Sequence, residues 1–102
     1  MAVKVIIKRR VKQGHQAKEL VPLILQMRSL ANNQPGYISG ETLCDLENPG
    51  DCMVISRWET EGDWKRWRDS KERAKIDERI KSLTGEITKY NTYTSMTSHE
   101  TD

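Results

Sequence analysis

Residues 52–70 read CMVISRWETEGDWKRWRDS, and within them the sequence changes from a strand to a helix. Cys52, Val54, Ser56 and Trp58 alternate with Met53, Ile55 and Arg57, which is the period of two of an extended strand. Thr60 and Asp63 stand where a capping box places its hydroxyl and its acid, with Asp in place of the usual Glu or Gln. Trp64 and Trp67 then follow three positions apart, as neighbours on one helical face do. Just upstream, Tyr37 to Leu46 has the composition of another strand, and Glu47-Asn48-Pro49-Gly50-Asp51 separates the two. Pro followed by Gly suits the central positions of a type II turn. The two strands are therefore expected to form an antiparallel hairpin that leads directly into a helix.

Working outward, Val3 to Val11 reads as a strand with Val3, Val5, Ile7 and Val11 on one face and Arg9 interrupting it. Ile6 makes the opposite face partly apolar. The spacing of Leu20, Leu23, Ile24, Met27, Leu30 and Ala31 predicts a helix from about His15 to Ala31. Pro22 within it marks either a first turn that begins near Leu20 or a kink. Asn32-Asn33-Gln34-Pro35-Gly36 stops the helix. After Trp67, Ser70 divides the second helix from a continuation whose seam is Ile76, Ile80 and Leu83, closed by Gly85. Thr- and Tyr-rich residues 86–96 read as a last strand, and 97–102 as a polar tail. The order is β-α-β-β-α-β, an α+β ferredoxin-like arrangement in one domain over residues 1–96, with four antiparallel strands and the helices on one face. The bare face suits either a nucleic-acid platform or a dimer in which two sheets meet.

Composition narrows the classes of function. The 102 residues carry 17 Lys and Arg against 15 Asp and Glu, a net charge of +2, which implies no polyanion partner. No apolar run reaches the roughly 18 residues of a membrane span, and the first residues lack a secretory h-region, so a cytoplasmic location is expected. Cys44 and Cys52 make neither a disulfide framework nor a zinc site. His15 and His99 have no neighbours suggesting a triad, and there is no phosphate-binding glycine loop. There are two basic clusters, Lys8-Arg9-Arg10 with Lys12 and Lys65 through Lys75; the second, laced with Asp69, Glu72, Asp77 and Glu78, reads as a solvated helix face. An RNA-binding version of the fold needs stacking aromatics on its central strands; the first strand has none and the third only Trp58, so nucleic acid is an unlikely partner. The tryptophans are the most informative residues, as packing or as ligand contacts.

Gln34-Pro35-Gly36-Tyr37 leading into the second strand, Ser56-Arg57-Trp58-Glu59 before the second helix, and Trp64-Lys65-Arg66-Trp67-Arg68-Asp69-Ser70 within it carry a resemblance. Over about Val3 to Met96 the chain resembles the antibiotic biosynthesis monooxygenase family, whose members are dimeric α+β barrels. The resemblance implies a homodimer with a cleft between helices and sheet that takes a small, flat, hydrophobic aromatic molecule such as a quinol or a polyketide-like ring. It implies oxygen-dependent oxidation without metal, flavin or other cofactor. Asp77 is the candidate general base, Trp67 and Trp64 the candidate stacking rings, and Ile7 and Met27 candidate apolar walls. The haem-degrading branch of the family uses an Asn in the first strand, a Trp in the second helix and a His as iron ligand. Those positions fall on Ile7, Trp67 and Asp77, so the axial imidazole is missing and haem oxygenation is not implied. The alternative is a non-catalytic dimeric binding or accessory module. Convergent buried polar groups in the cleft favour the enzyme, and a cleft filled by its own tryptophans favours the module.

Overall fold

The computed structural model describes residues 2–85 and 89–96. Four antiparallel strands form one sheet in the order β2-β3-β1-β4, with β1 Val3–Arg10, β2 Tyr37–Cys44, β3 Asp51–Trp58 and β4 Lys89–Thr94. The central position of β1 follows from its side chains. Val3, Val5 and Ile7 are buried on one face, with Arg9 in the same row. In register with them across β3 stand Trp58, Ser56, Val54 and Cys52. Three helices cover this face: α1 Val21–Ala31, α2 Glu61–Arg68 and α3 Lys71–Thr84. The core they enclose includes Leu20, Ile24, Met27, Trp58, Trp64, Trp67, Ile76 and Ile80.

The local signals around the second and third helices are realised closely. The Thr60 hydroxyl accepts from the Asp63 N–H at 3.0 Å and donates to the Asp63 carboxylate at 2.8 Å. Ser70 separates α2 from α3 and caps α3 by accepting from the Arg73 N–H at 3.2 Å. Gly85 closes α3 with φ +66°, in the left-handed region.

Other expectations need correction. The first helix is shorter than residues 15–31. A single 3-10 turn, Ala17–Glu19, precedes it, and the Glu19 carboxylate accepts from the Gln16 N–H at 2.6 Å. Pro22 lies in the first turn of α1, where its missing N–H leaves no helical bond unmade, so it makes no kink. β2 ends at Cys44 rather than Leu46, because the Asp45 carboxylate folds back to accept from the Glu47 and Asn48 N–H groups at 2.8 and 3.2 Å. The hairpin is antiparallel as expected, and its turn closes with the Asp51 N–H on the Asn48 carbonyl at 2.8 Å. Gly50 does not take the positive φ of a type II turn; a type I turn with Pro49 at its second position needs none. β4 covers Lys89–Thr94. Residues 86–88 of the expected last strand and the expected tail at 97–102 lie outside the described residues.

Among the described residues no helix lies on the opposite face of the sheet. Ile6 pairs with Ile55 there, while Val54 belongs to the helix side. Ile38, Leu43 and Tyr93 are 44%, 41% and 51% exposed. At the hairpin's end Cys44 and Cys52 are directly opposite in register, with their reduced Sγ atoms 3.0 Å apart. Burial is the largest of the influences that push the Cys52 thiol up to about 12, with the neighbouring Cys44 next.

Gly36 fixes how β2 leaves the α1 corner. It has φ +84°, its carbonyl accepts from the Glu59 N–H at 2.7 Å, and the Asp63 carboxylate lies where a Cβ would sit. Gly36→Ala should therefore lose at least about 1–2 kcal/mol from the backbone alone, lowering the melting temperature by about 4–8 °C per kcal/mol. Gly50→Ala, with open space around its Cα, is the control expected to melt like the parent. Equal melts for Gly36→Ala and the parent would contradict this account.

Candidate functional site

A chain of rings runs under the helices. Tyr37 meets Trp58 edge-on with centroids 5.2 Å apart, Trp58 meets Trp64 at 6.0 Å, and Trp64 meets Tyr90 of β4 at 5.5 Å. These are separations at which aromatic quadrupoles attract. Trp58 also finds a partner for its indole N–H, which donates to the Ser56 hydroxyl at 3.2 Å.

A cavity opens beside these rings, between α1 and the sheet. Its walls are apolar at Ile7, Ile24, Met27 and Val54 and aromatic at Tyr37, Trp58, Trp64 and Trp67. Counted out through its mouth, the empty space is about 440 Å³. The part able to hold the centres of water molecules is about 40 Å³, where one water takes about 10–15 Å³. Seating an aromatic molecule thus requires α1 or the rings to give way.

Two cationic side chains enter this apolar space. Arg9, from β1, is 6% exposed and Arg73, from the first turn of α3, is 2% exposed. Arg73 lies over the Trp64 ring at 5.5 Å and over the Tyr90 ring at 4.9 Å, and its Nη1 donates to the Tyr90 hydroxyl at 2.6 Å. Nε and Nη2 of both arginines are buried without a hydrogen-bond partner among the described residues. Desolvation, then the like charge of Arg73, pushes the Arg9 guanidinium down to about 10. A third arginine, Arg28 of α1, lines the mouth and donates to the Thr42 hydroxyl. Among the described residues no Asp or Glu lines the cavity.

Four residues singled out in the sequence, Ile7, Met27, Trp64 and Trp67, are brought together as cavity walls. Trp67 is 3% exposed, so it belongs to the core as well as to the cavity. Asp77 is not among the lining residues; one turn past Arg73 on α3, its carboxylate stands 3.8 Å from the Lys81 ammonium. The reading of residues 65–75 as a solvated face fails at Arg73, and Arg9, which interrupts the apolar row of its strand, is buried with that row. A signal for both was present. Arg9 occupies the apolar row of its strand, and Arg73, Ile76 and Ile80 fall on one helical stripe that is buried throughout. Tyr90 and Tyr37 carried no such signal, because their roles depend on contacts between distant strands. Among the described residues no histidine lines the cavity: His15 pairs with Glu19 at 3.4 Å outside α1, and His99 lies outside the described residues. Among the described residues no cluster of His, Cys, Asp or Glu could hold a metal ion, and no helix is long and apolar enough to cross a membrane.

Comparison with known proteins gives the same architecture. The sequence profile described as antibiotic biosynthesis monooxygenase matches residues 2–79. Among solved structures, SnoaB, a cofactor-independent oxygenase from Streptomyces nogalater, is 12% identical with a TM-score of 0.84, covering 97% of each chain. A conserved protein from Methanosarcina mazei is 22% identical with a TM-score of 0.81, covering 91% of each chain. Rv0793 from Mycobacterium tuberculosis is 14% identical with a TM-score of 0.81, covering 98% of this chain and 100% of its own. At these identities the likeness is one of fold. A search of curated proteins finds no match.

The depressed value at Arg9 has a definite sign for stability. The fold binds that proton less tightly than the unfolded chain does, so the charged guanidinium opposes folding at every pH below about 10, neutral pH included. Arg9→Met keeps the alkyl stem and removes the charge. It should raise stability by about 1–4 kcal/mol, as when buried charges give way to well-packed apolar groups. Thermal melts at neutral pH check this, and a lower melt for Arg9→Met would refute the electrostatic cost.

Proposed function

Because the chain belongs to the antibiotic biosynthesis monooxygenase family, we propose that it binds a small, flat aromatic molecule in the cavity under its helices and promotes its oxidation by molecular oxygen without a cofactor. The observation that carries this reading is the cavity wall itself, apolar and aromatic on nearly every side, with Trp67 and Trp64 among its rings. An electron-rich phenol or quinol reacts with oxygen once it has lost a proton and is held away from water. One oxygen atom then enters the product and the other leaves as water, with every electron drawn from the substrate. The protein's task is to bind, orient and keep out solvent. Ile7 and Met27 supply walls, and Trp64 and Trp67 supply faces on which a ring can stack. Asp77, whose charge is felt by Arg9 although its side chain stands outside the lining, serves as the base once the cavity opens to admit a ring.

A second reading has an observation of its own in favour. The rings leave room for only a few waters, as in a binding or accessory module that has no reaction to perform. Oxygen uptake measured across a panel of quinols and hydroxylated polycyclic aromatics separates the two. The oxygenase reading expects uptake above the uncatalysed rate with at least one of them. Asp77→Asn should then lower turnover by about 10²–10⁴-fold. Trp67→Phe should weaken binding by several-fold, about the worth of one aromatic contact. Binding without uptake throughout the panel selects the module.

The protein acts as a homodimer through the helix-free face of the sheet. Ile6, Ile55, Leu43, Ile38 and Tyr93 form a partly apolar surface there that no element of the described chain covers. A second sheet laid against it removes that surface from water. Light scattering should give twice the chain mass at micromolar concentration, and Ile55→Asp should give a folded monomer. A monomeric parent protein overturns the assembly.

A further inference from the structure

The two buried arginines restrict what the cavity can take. Resting on the proposal that it holds an aromatic ligand, we infer that Arg9 and Arg73 together form a receptor for one anionic oxygen centre, a carboxylate or a phenolate, carried on that ring.

Three observations carry this. The first is the identity of the unpartnered atoms. In both arginines they are Nε and Nη2, one edge of the guanidinium fork. Elsewhere in the chain that same edge grips carboxylates with two parallel bonds. Arg10 donates from Nε and Nη2 to Asp51 at 2.6 and 3.0 Å, and Arg68 does so to Asp69 at 2.9 and 3.0 Å. The edge presented by Arg9 and Arg73 is thus the one that recognises a planar pair of oxygens, or a single oxygen approached from two sides.

The second is charge. Among the described residues the cavity lining holds three arginines and no acid, so none of these wall residues neutralises them. Asp77 of α3 acts on Arg9 with opposite charge, but it stands by Lys81 outside the lining and outweighs neither the burial of Arg9 nor the repulsion from Arg73. A buried guanidinium near a like charge costs far more than one facing an anion. A ligand that brings a negative oxygen gains twice, by pairing the nitrogens and by relieving the repulsion between the two cations.

The third is the setting of Arg73. Two rings and the Tyr90 hydroxyl hold it on its other sides, so the charge is fixed in place before a ligand arrives. A preformed cation among stacking faces matches a molecule that combines a flat ring with an oxyanion. For a phenol substrate it also favours the deprotonated form, which is the one that oxygen attacks.

Calorimetric titration of the purified protein with 2-naphthoate and with 2-naphthamide tests this, since the two differ little beyond charge. Naphthoate should bind at least about tenfold more tightly, as expected for paired hydrogen bonds to a charged group. Arg9→Met should reduce the difference to within about twofold. In a second arm, 4-nitrophenol is followed by the absorbance of its phenolate in the parent protein, which needs no variant. Bound, its pKa should fall by about one unit. Equal affinities for naphthoate and naphthamide, with nitrophenol bound but its pKa unshifted or raised, overturn the anion receptor while leaving the aromatic reading intact. A preference for naphthoate that survives Arg9→Met in full also overturns it. Binding of none of the three probes overturns the aromatic reading and this inference with it.

Discussion

The pleat of β1 constrains everything around it. The strand is hydrogen-bonded on both sides, to β3 and to β4, so it can neither rotate nor slip without breaking two ladders. Its odd-numbered side chains must all point to the helices. Val3, Val5 and Ile7 make this favourable by entering the core. Arg9 is carried in with them, whatever its own preference for water. The buried cation is a consequence of register, and the energy gained by burying three apolar residues offsets what it costs.

The second helical layer is organised around that cation and its partner. α3 presents Arg73 on the stripe that also bears Ile76 and Ile80, so docking this stripe on the sheet brings a second guanidinium inward. Trp64 and Tyr90 receive it face-on, and Tyr90 adds a hydroxyl acceptor. The rings thus do two things at once. They fill volume that a small domain needs for its core, and they hold a charge without neutralising it. A carboxylate in the same place would have given a conventional ion pair and a quiet interior. Two cations with free edges in a low-dielectric pocket are instead poised toward a third group.

The two faces of the sheet divide the work. One lies under helices and contains the cavity; the other lacks a helical cover and carries Ile55 paired with Ile6. The single-residue alternation of β1 and β3 keeps these surfaces independent, since neighbouring residues point to opposite sides. Side chains that would meet a partner are therefore different from those that would meet a ligand, although the strands that bear them are the same.

Much of this was legible in the sequence because its causes are local. The hairpin, the Thr60 cap, the break at Ser70, the Gly85 stop and the β-α-β-β-α-β order each depend on a few adjacent residues, and so do the apolar rows that placed Ile7, Met27, Trp64 and Trp67 inward. The dipeptide Pro49-Gly50 serves two turn types, so it marks the turn without choosing between them. Arg73 stood on the stripe of Ile76 and Ile80, but the lysines, arginines and acids around it masked that stripe until a sheet covered it. Asp77 could be placed on a helix, but not beside Lys81 and outside the cavity lining. By itself the sequence determined the elements, their order and which stripe of each is apolar, since propensity, capping and periodicity act over a few residues. Only the tertiary structure decided that Arg9 from the first strand and Arg73 from the third helix would share one apolar space with Tyr90, because that meeting depends on strand register and helix docking between residues far apart in the chain.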